Sequence, residues 1–151
     1  VVTKSPEGLS QKHKSSIIQQ LNPEPNQKVF FSSIHYSDVL ISSRSNLPVD
    51  DLKDIVFTLV TGIANPAPLV AHLKSIGLDF EHLEFKDHHG FSKSDLKLIY
   101  SKPLVLTTEK DFSRLSSDSQ NQIYYLPIQL KIDRADEFEK LVDSYVKHHI
   151  A

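Results

Sequence analysis

The segment from Ile55 to Gly77, IVFTLVTGIANPAPLVAHLKSIG, constrains the fold more than any other stretch of this chain. Ile55 to Val60 is a continuous run of apolar and β-branched residues, as expected of a strand covered on both faces. Thr61-Gly62 breaks it, and Asn65-Pro66 opens a helix, with Asn as cap and Pro at the first helical position. Leu69, Val70, Leu73 and Ile76 then fall on one helical face, and Gly77 supplies the stop. A buried strand, a short turn and an amphipathic helix form the unit from which parallel sheets are built.

The same alternation extends along the chain. A first helix is predicted over Ser10–Leu21, ended by Asn22-Pro23. Ser92-x-x-Asp95 and Thr108-x-x-Asp111 read as capping boxes, with Asp in place of Glu. A tail helix after Asp133, its N-cap, carries Phe138, Leu141, Val142, Tyr145 and Val146 on one face. Leu104–Leu106 reads as a short buried strand, and Val29–Tyr36, Asp79–Phe85 and Ile123–Ile132 as further strands. The polar, Ser-rich piece between Tyr36 and Asp54 interrupts the pattern as a hairpin or hinge. The fold class is α/β, a mainly parallel sheet layered with helices.

The 151 residues amount to one domain's worth of chain. Hydrophobic content of 39% and charged content of 24% are those of a soluble globular protein. A net charge of -2, with acids and bases mixed, lacks the basic footprint of a nucleic-acid binder. No apolar run reaches membrane-spanning length, and no signal-peptide pattern opens the chain. The absence of cysteine excludes disulfides and thiolate metal sites within it. There is no methionine even at position 1, and Val1-Val2-Thr3-Lys4 reads like the end of a buried strand; the expectation is a fragment of a longer protein.

In an open parallel sheet, ligands bind at the carboxyl ends of the strands, where helix N-termini also point. Those ends here carry Thr3-Lys4, the run Thr61-Gly62-Ile63-Ala64-Asn65, the run Lys86-Asp87-His88-His89, and Thr107-Thr108-Glu109-Lys110-Asp111. Hydroxyls, lysines, an acid and a histidine along one edge, with backbone donors after Asn65 and Thr108, read as a polar site for a phosphate-bearing ligand. Each segment also has a simpler reading: a tight turn for TGIANP, a helix cap for TTEKD, solvated side chains for Thr3-Lys4. Asp87-His88-His89 is open to three readings: metal ligands, an acid–base pair, or a polar turn. His13, His35, His72, His82, His148 and His149 are expected at the surface.

TGIANP, an amphipathic helix, FKDHHGFS and LVLTTEKDFSRL, in that order, resemble the C-terminal part of the tetraacyldisaccharide 4'-kinases, the lipid A kinases of Gram-negative bacteria. VVTKSPEGLS and VFFSSIHY resemble the central region of the same family, and the resemblance runs from Val1 to about Leu130. It implies a P-loop-type kinase that transfers the γ-phosphate of ATP, with Mg²⁺, to the 4'-hydroxyl of a lipid A disaccharide 1-phosphate at the cytoplasmic face of the inner membrane. The family's Asp-His motif matches Asp87-His88. His88 would be catalytic, working with an aspartate from the N-terminal half to activate the sugar hydroxyl, while His89 falls at a more variable position. Gly62, Asn65, Thr107, Thr108, Glu109, Lys110 and Asp111, in the TGIANP and TTEKD segments, carry over as residues lining substrate or nucleotide; Thr3 and Lys4 join them from the strand-end argument, and no residue is expected as a metal ligand. Residues 36–54 would match the two-stranded hinge between the family's lobes.

No GxxxxGK[ST] occurs in this sequence, and there are only four glycines. On this reading the phosphate cradle, the metal carboxylates and the peripheral membrane contact belong to an N-terminal domain, the chain's main protein partner, and the chain alone is inactive. Two alternatives stay open: a metal-dependent phosphoesterase of the DHH type, which needs several clustered carboxylates, and a non-catalytic α/β interaction domain.

Overall fold

A computed structural model describes residues 1–115 and 122–149, and the chain divides into two compact units. The first unit takes in residues 1–36 and the chain from Ile128 onward; the second is Ser37–Pro127. The first begins with α1 (Gln11–Leu21) and β1 (Ser32–Tyr36). The second holds β2 (Val39–Ile41), β3 (Asn46–Pro48), a 3-10 turn (Val49–Asp54), β4 (Thr58–Thr61), α2 (Ala67–Ser75), β5 (Glu81–Glu84), α3 (Lys93–Tyr100), β6 (Leu104–Thr107), α4 (Glu109–Leu115) and β7 (Gln122–Tyr125). The chain then returns to the first unit through β8 (Ile128–Ile132) and α5 (Ala135–His149).

In the first unit, the Ser10 hydroxyl caps α1 by accepting the N–H of His13, and Asn22 ends the helix at φ +44, a conformation asparagine tolerates. β1 and β8 form an antiparallel two-stranded sheet in which Ser32 faces Ile132 and Tyr36 faces Ile128. The amino terminus is not a full strand: Val2 makes an isolated parallel bridge to Phe31. Asp133 does not cap α5 as expected. Its carboxylate accepts the Phe31 N–H at 2.7 Å and the Lys14 ammonium at 2.7 Å, and Arg134 turns the chain at φ +50 before the helix starts. Phe138 of α5 packs edge-on against Phe30, while Leu141, Val142, Tyr145 and Val146 are exposed.

The second unit is built on a six-stranded sheet in the order β3-β2-β7-β6-β4-β5. β7, β6, β4 and β5 are parallel, and the β2–β3 hairpin joins β7 antiparallel. The expected hairpin between Tyr36 and Asp54 is therefore present and belongs to this sheet, while the separate two-stranded sheet is made by β1 and β8. The strand predicted over 55–60 starts later: Val56 is 83% exposed, and pairing runs from Thr58 to Thr61, all four residues buried. Apolar sequence alone did not distinguish the approach to the sheet from the strand within it.

From β4 the chain moves outward to β5 through α2, then back across β4 to β6 through α3, and on to β7 through α4. Right-handed crossovers require α2 on one face and α3 with α4 on the other. Val60, Val105 and Ile123 form the sheet side of a core with Ile99 of α3 and Leu115 of α4, joined by Leu83, Phe85, Phe91, Leu96, Tyr100 and Phe112. The alternate residues Leu59 and Leu106 are fully buried on the opposite face, as strand pleating demands. The neighbours β4 and β6 thus send their helices to opposite faces, which makes their carboxyl ends a topological switch point.

Candidate functional site

Three loops leave the carboxyl ends of β4, β5 and β6. The first is Gly62–Pro66. Thr61 before it is fully buried, its hydroxyl 2.9 Å from Nε2 of His82 on the adjoining strand. His82 is thus half-buried and partnered, against its expected surface placement. Gly62 is buried and donates its N–H to Asp111 at 2.8 Å. Asn65 is exposed, and its side-chain oxygen accepts the N–H of Ala67 at 3.2 Å, in keeping with its predicted role at the start of α2.

The second loop runs from Phe85 to Ser92. His89 N–H donates to the Lys86 carbonyl at 3.0 Å, closing a tight turn with Asp87 and His88 at its tip. His88 sits at φ +57, in the left-handed region that costs a side-chain-bearing residue backbone energy. Its imidazole is 78% exposed, with Nε2 3.5 Å from Asp87 Oδ2. That separation is long for a hydrogen bond, so the pair interacts as charge and dipole. Asp87 Oδ1 accepts the Lys110 ammonium at 3.2 Å and the His88 backbone N–H at 3.1 Å. The Lys110 hydrogen bond, with the charges of His88 and Lys110, holds the Asp87 carboxyl below its ordinary range, so it stays ionised at neutral pH.

The two histidines diverge sharply. His89 turns inward, stacked on Phe85 at 4.9 Å and edge-on to Phe91 at 5.7 Å, with Nε2 3.0 Å from Asp95 Oδ2. Asp95 also accepts the N–H and hydroxyl of Ser92 while Ser92 caps Asp95 N–H, a complete capping box. The His89 hydrogen bond, followed by those from Ser92, brings the Asp95 carboxyl down to about 2.

The third loop is Thr107–Lys110, opening α4. Thr107 is fully buried, and its hydroxyl donates to the Val60 carbonyl at 2.8 Å, fastening β6 to β4. Thr108 caps α4 by accepting the Asp111 N–H at 3.2 Å. Glu109 and Lys110 are exposed. Asp111 does not close a reciprocal local box: it is completely buried, and its carboxylate binds Gly62 N–H, the Thr108 hydroxyl and the guanidinium of Arg114. Arg114 in turn donates to the His89 carbonyl at 2.8 Å and lies 4.9 Å over the Phe91 ring.

Gly62, Asp87, His88, Thr107, Thr108, Lys110 and Asp111 are thus gathered at the carboxyl ends of three parallel strands. Thr3 and Lys4 belong to the first unit and are exposed, with Lys4 at φ +56. Arg114, Asp95 and His82 were missed by sequence reasoning. The i,i+3 spacing of Asp111 and Arg114 on a short helix was the available signal for that pair; His82 gave none. Among the described residues no group of three or more His, Asp or Glu side chains is arranged to hold a metal ion. What the arrangement offers is an accessible imidazole beside an ionised carboxylate and a lysine, suited to proton transfer and to contact with an anionic ligand.

Residues 3–147 match the family model described as tetraacyldisaccharide-1-P 4'-kinase. The chain is 34% identical over 155 residues to the tetraacyldisaccharide 4'-kinase of Flavobacterium johnsoniae, covering 99% of this chain and 45% of that protein. It is 32% identical over 175 residues to that of Bacteroides thetaiotaomicron, covering 99% of this chain and 46% of the relative. The chain therefore spans a little under half the length of these curated relatives. A crystal structure of LpxK from Aquifex aeolicus in complex with ATP is similar in fold, with a TM-score of 0.56 and 20% identity over 80% of this chain and 37% of that one. Neither the phosphoesterase nor the interaction-domain alternative gains support from these likenesses.

Proposed function

Because this chain belongs to the tetraacyldisaccharide-1-phosphate 4'-kinase family, we propose that it is the C-terminal portion of an enzyme that phosphorylates the 4'-hydroxyl of a tetraacyldisaccharide 1-phosphate from ATP. The observation that carries the reading is the Asp87–His88 turn. An exposed imidazole stands beside a carboxylate kept ionised by Lys110, at the end of a parallel strand. In this role His88 takes the proton of the 4'-hydroxyl. The sugar oxygen forms its bond to the γ-phosphorus as the bond from that phosphorus to the bridging oxygen breaks, and ADP leaves with the electron pair. Asp87 orients the imidazole and offsets the charge it acquires.

Lys110 and the exposed Glu109 are proposed to line the substrate or nucleotide. Among the described residues no three or more His, Asp or Glu side chains are grouped to hold a metal ion; on this reading the Mg²⁺ ligands, like the phosphate-cradling loop, belong to the N-terminal portion. No helix among the described residues is long and apolar enough to cross a membrane. Peripheral contact with the inner membrane's cytoplasmic face is proposed for the full-length protein on the family resemblance alone. Residues 36–54 are proposed as a hinge on the strength of the family resemblance; the β1–β8 ribbon, where the chain passes from one unit to the other, is the alternative element for that role.

The test is phosphate transfer from labelled ATP to a tetraacyldisaccharide 1-phosphate by the full-length protein. His88→Ala should lower kcat by about 10²-fold or more, the scale of lost acid–base assistance. Wild-type turnover in that variant would overturn the assignment of His88, and no transfer by the unmodified protein would overturn the kinase reading itself.

A further inference from the structure

The Asp87–His88 turn is held from behind by an ion pair, Asp111 fully buried and Arg114 partly so, that makes no hydrogen bond to either residue. Arg114 Nη1 donates to the His89 carbonyl at 2.8 Å, one residue beyond His88. Its Nη2 binds Asp111 Oδ1, while Asp111 Oδ2 accepts from Gly62 N–H at 2.8 Å and from the Thr108 hydroxyl at 2.9 Å. One carboxylate and one guanidinium therefore tie together the loops that follow β4, β5 and β6. The join lies at the switch point, where a ligand would otherwise have only three separately mobile loops to meet. Phe91 lies under the guanidinium, and a Cβ at position 62 would come within 3.0 Å of Arg114 Nη2 and 3.2 Å of Asp111 Oδ1.

We propose that the Asp111–Arg114 pair is the positioning element of this site: it fixes the backbone on which His88 is presented, and so sets the direction in which the imidazole points. The inference rests on the catalytic reading of His88 given above. Two features argue for positioning over plain stabilisation. Arg114 Nε is buried without a hydrogen-bond partner, and a partly buried ion pair so incompletely satisfied is a weak source of stability compared with apolar packing. Conversely, the planar fork reaches a carbonyl on one loop and a carboxylate on another at once. A lysine, with a single point of charge, cannot reproduce that geometry. His88 also needs an outside constraint, because its φ of +57 is not one that a histidine adopts readily on its own.

The test is Arg114→Lys, alone and combined with His88→Ala. In this chain, amide exchange of His89, whose N–H closes the turn, should speed up about 10-fold in Arg114→Lys while the unfolding midpoint stays within a few degrees. In the full-length protein the same substitution should lower kcat about 30-fold and leave KM for ATP within twofold. In the His88→Ala background it should cost no more than twofold, because there is no longer an imidazole to aim. Unchanged His89 exchange would overturn the proposal whatever the enzyme does. Full additivity of the two substitutions would overturn it too, by showing that Arg114 acts independently of His88. If His88→Ala alone keeps wild-type turnover, the catalytic reading of His88 falls and this inference with it. If Arg114→Lys speeds exchange but leaves kcat intact, only the positioning role is lost.

Discussion

The side chain of Asp111 accepts the backbone N–H of Gly62 at 2.8 Å, although 49 residues separate them. The contact spans the carboxyl ends of the adjoining strands β4 and β6, and a Cβ at position 62 would fit only tightly, pressing on Arg114 Nη2 at 3.0 Å and Asp111 Oδ1 at 3.2 Å. Any shift of Arg114 to make room strains its contacts to the His89 carbonyl and Asp111. Gly62→Ala should therefore destabilise the second unit by about 1–3 kcal/mol, the usual cost of overpacking a close-fitted site. Urea denaturation of the variant measures this; a neutral result would show that the pair shifts freely.

His88 holds a left-handed backbone, and glycine adopts it without steric cost. A side chain there costs about 1–2 kcal/mol, against which glycine loses about 0.5–1 kcal/mol of unfolded-chain entropy. His88→Gly should come out more stable than the parent by up to about 1 kcal/mol in denaturant, while losing turnover as His88→Ala does. Gain of stability with loss of activity is the signature of strain kept for function. A variant less stable than the parent would mean that the imidazole contributes contacts outweighing its backbone cost.

Asp95 is the residue whose titration most affects the site's support. Its carboxyl falls from an ordinary 3.8 to about 2, chiefly through the His89 hydrogen bond. A depressed folded-state value means the carboxylate's stabilisation is complete above the ordinary value and is lost as pH falls from there toward about 2. Asp95→Asn should thus lower the melting temperature at pH 6 and converge with the parent near pH 2. A gap between the two curves that stays constant across that range would show that the ionised carboxylate is not what matters.

Much of the fold was legible because its signals are local. Ser10, Asn22, Asn65, Gly77 and Ser92 mark helix ends through hydrogen bonds or backbone angles set within a few residues. The alternation of buried strands with amphipathic helices implied a parallel sheet and the strand ends where a site would form. Two acids misled for one reason. Asp133 and Asp111 both sit in sequence patterns that read as helix caps, yet the Asp133 carboxylate serves distant Phe31 and Lys14, and that of Asp111 adds distant Gly62 to its local partners Thr108 and Arg114. A motif three residues long says what an acid can bond locally; it carries nothing about a better-placed donor from another strand.

The adjacent histidines show where the division falls. The sequence by itself placed Asp87, His88 and His89 at the end of a strand ahead of a capped helix, because strand and cap signals depend on neighbours along the chain, and it left metal site, acid–base pair and polar turn open. Only the tertiary structure decided that His88 faces solvent at 78% exposure while His89 is stacked on Phe85, edge-on to Phe91 and tied to Asp95. The tight turn sends successive side chains in different directions, and which of them finds an aromatic wall and a guanidinium depends on how α3 and α4 pack over the sheet. That packing is a property of residues far apart in sequence, so it is absent from the chemistry of any short stretch.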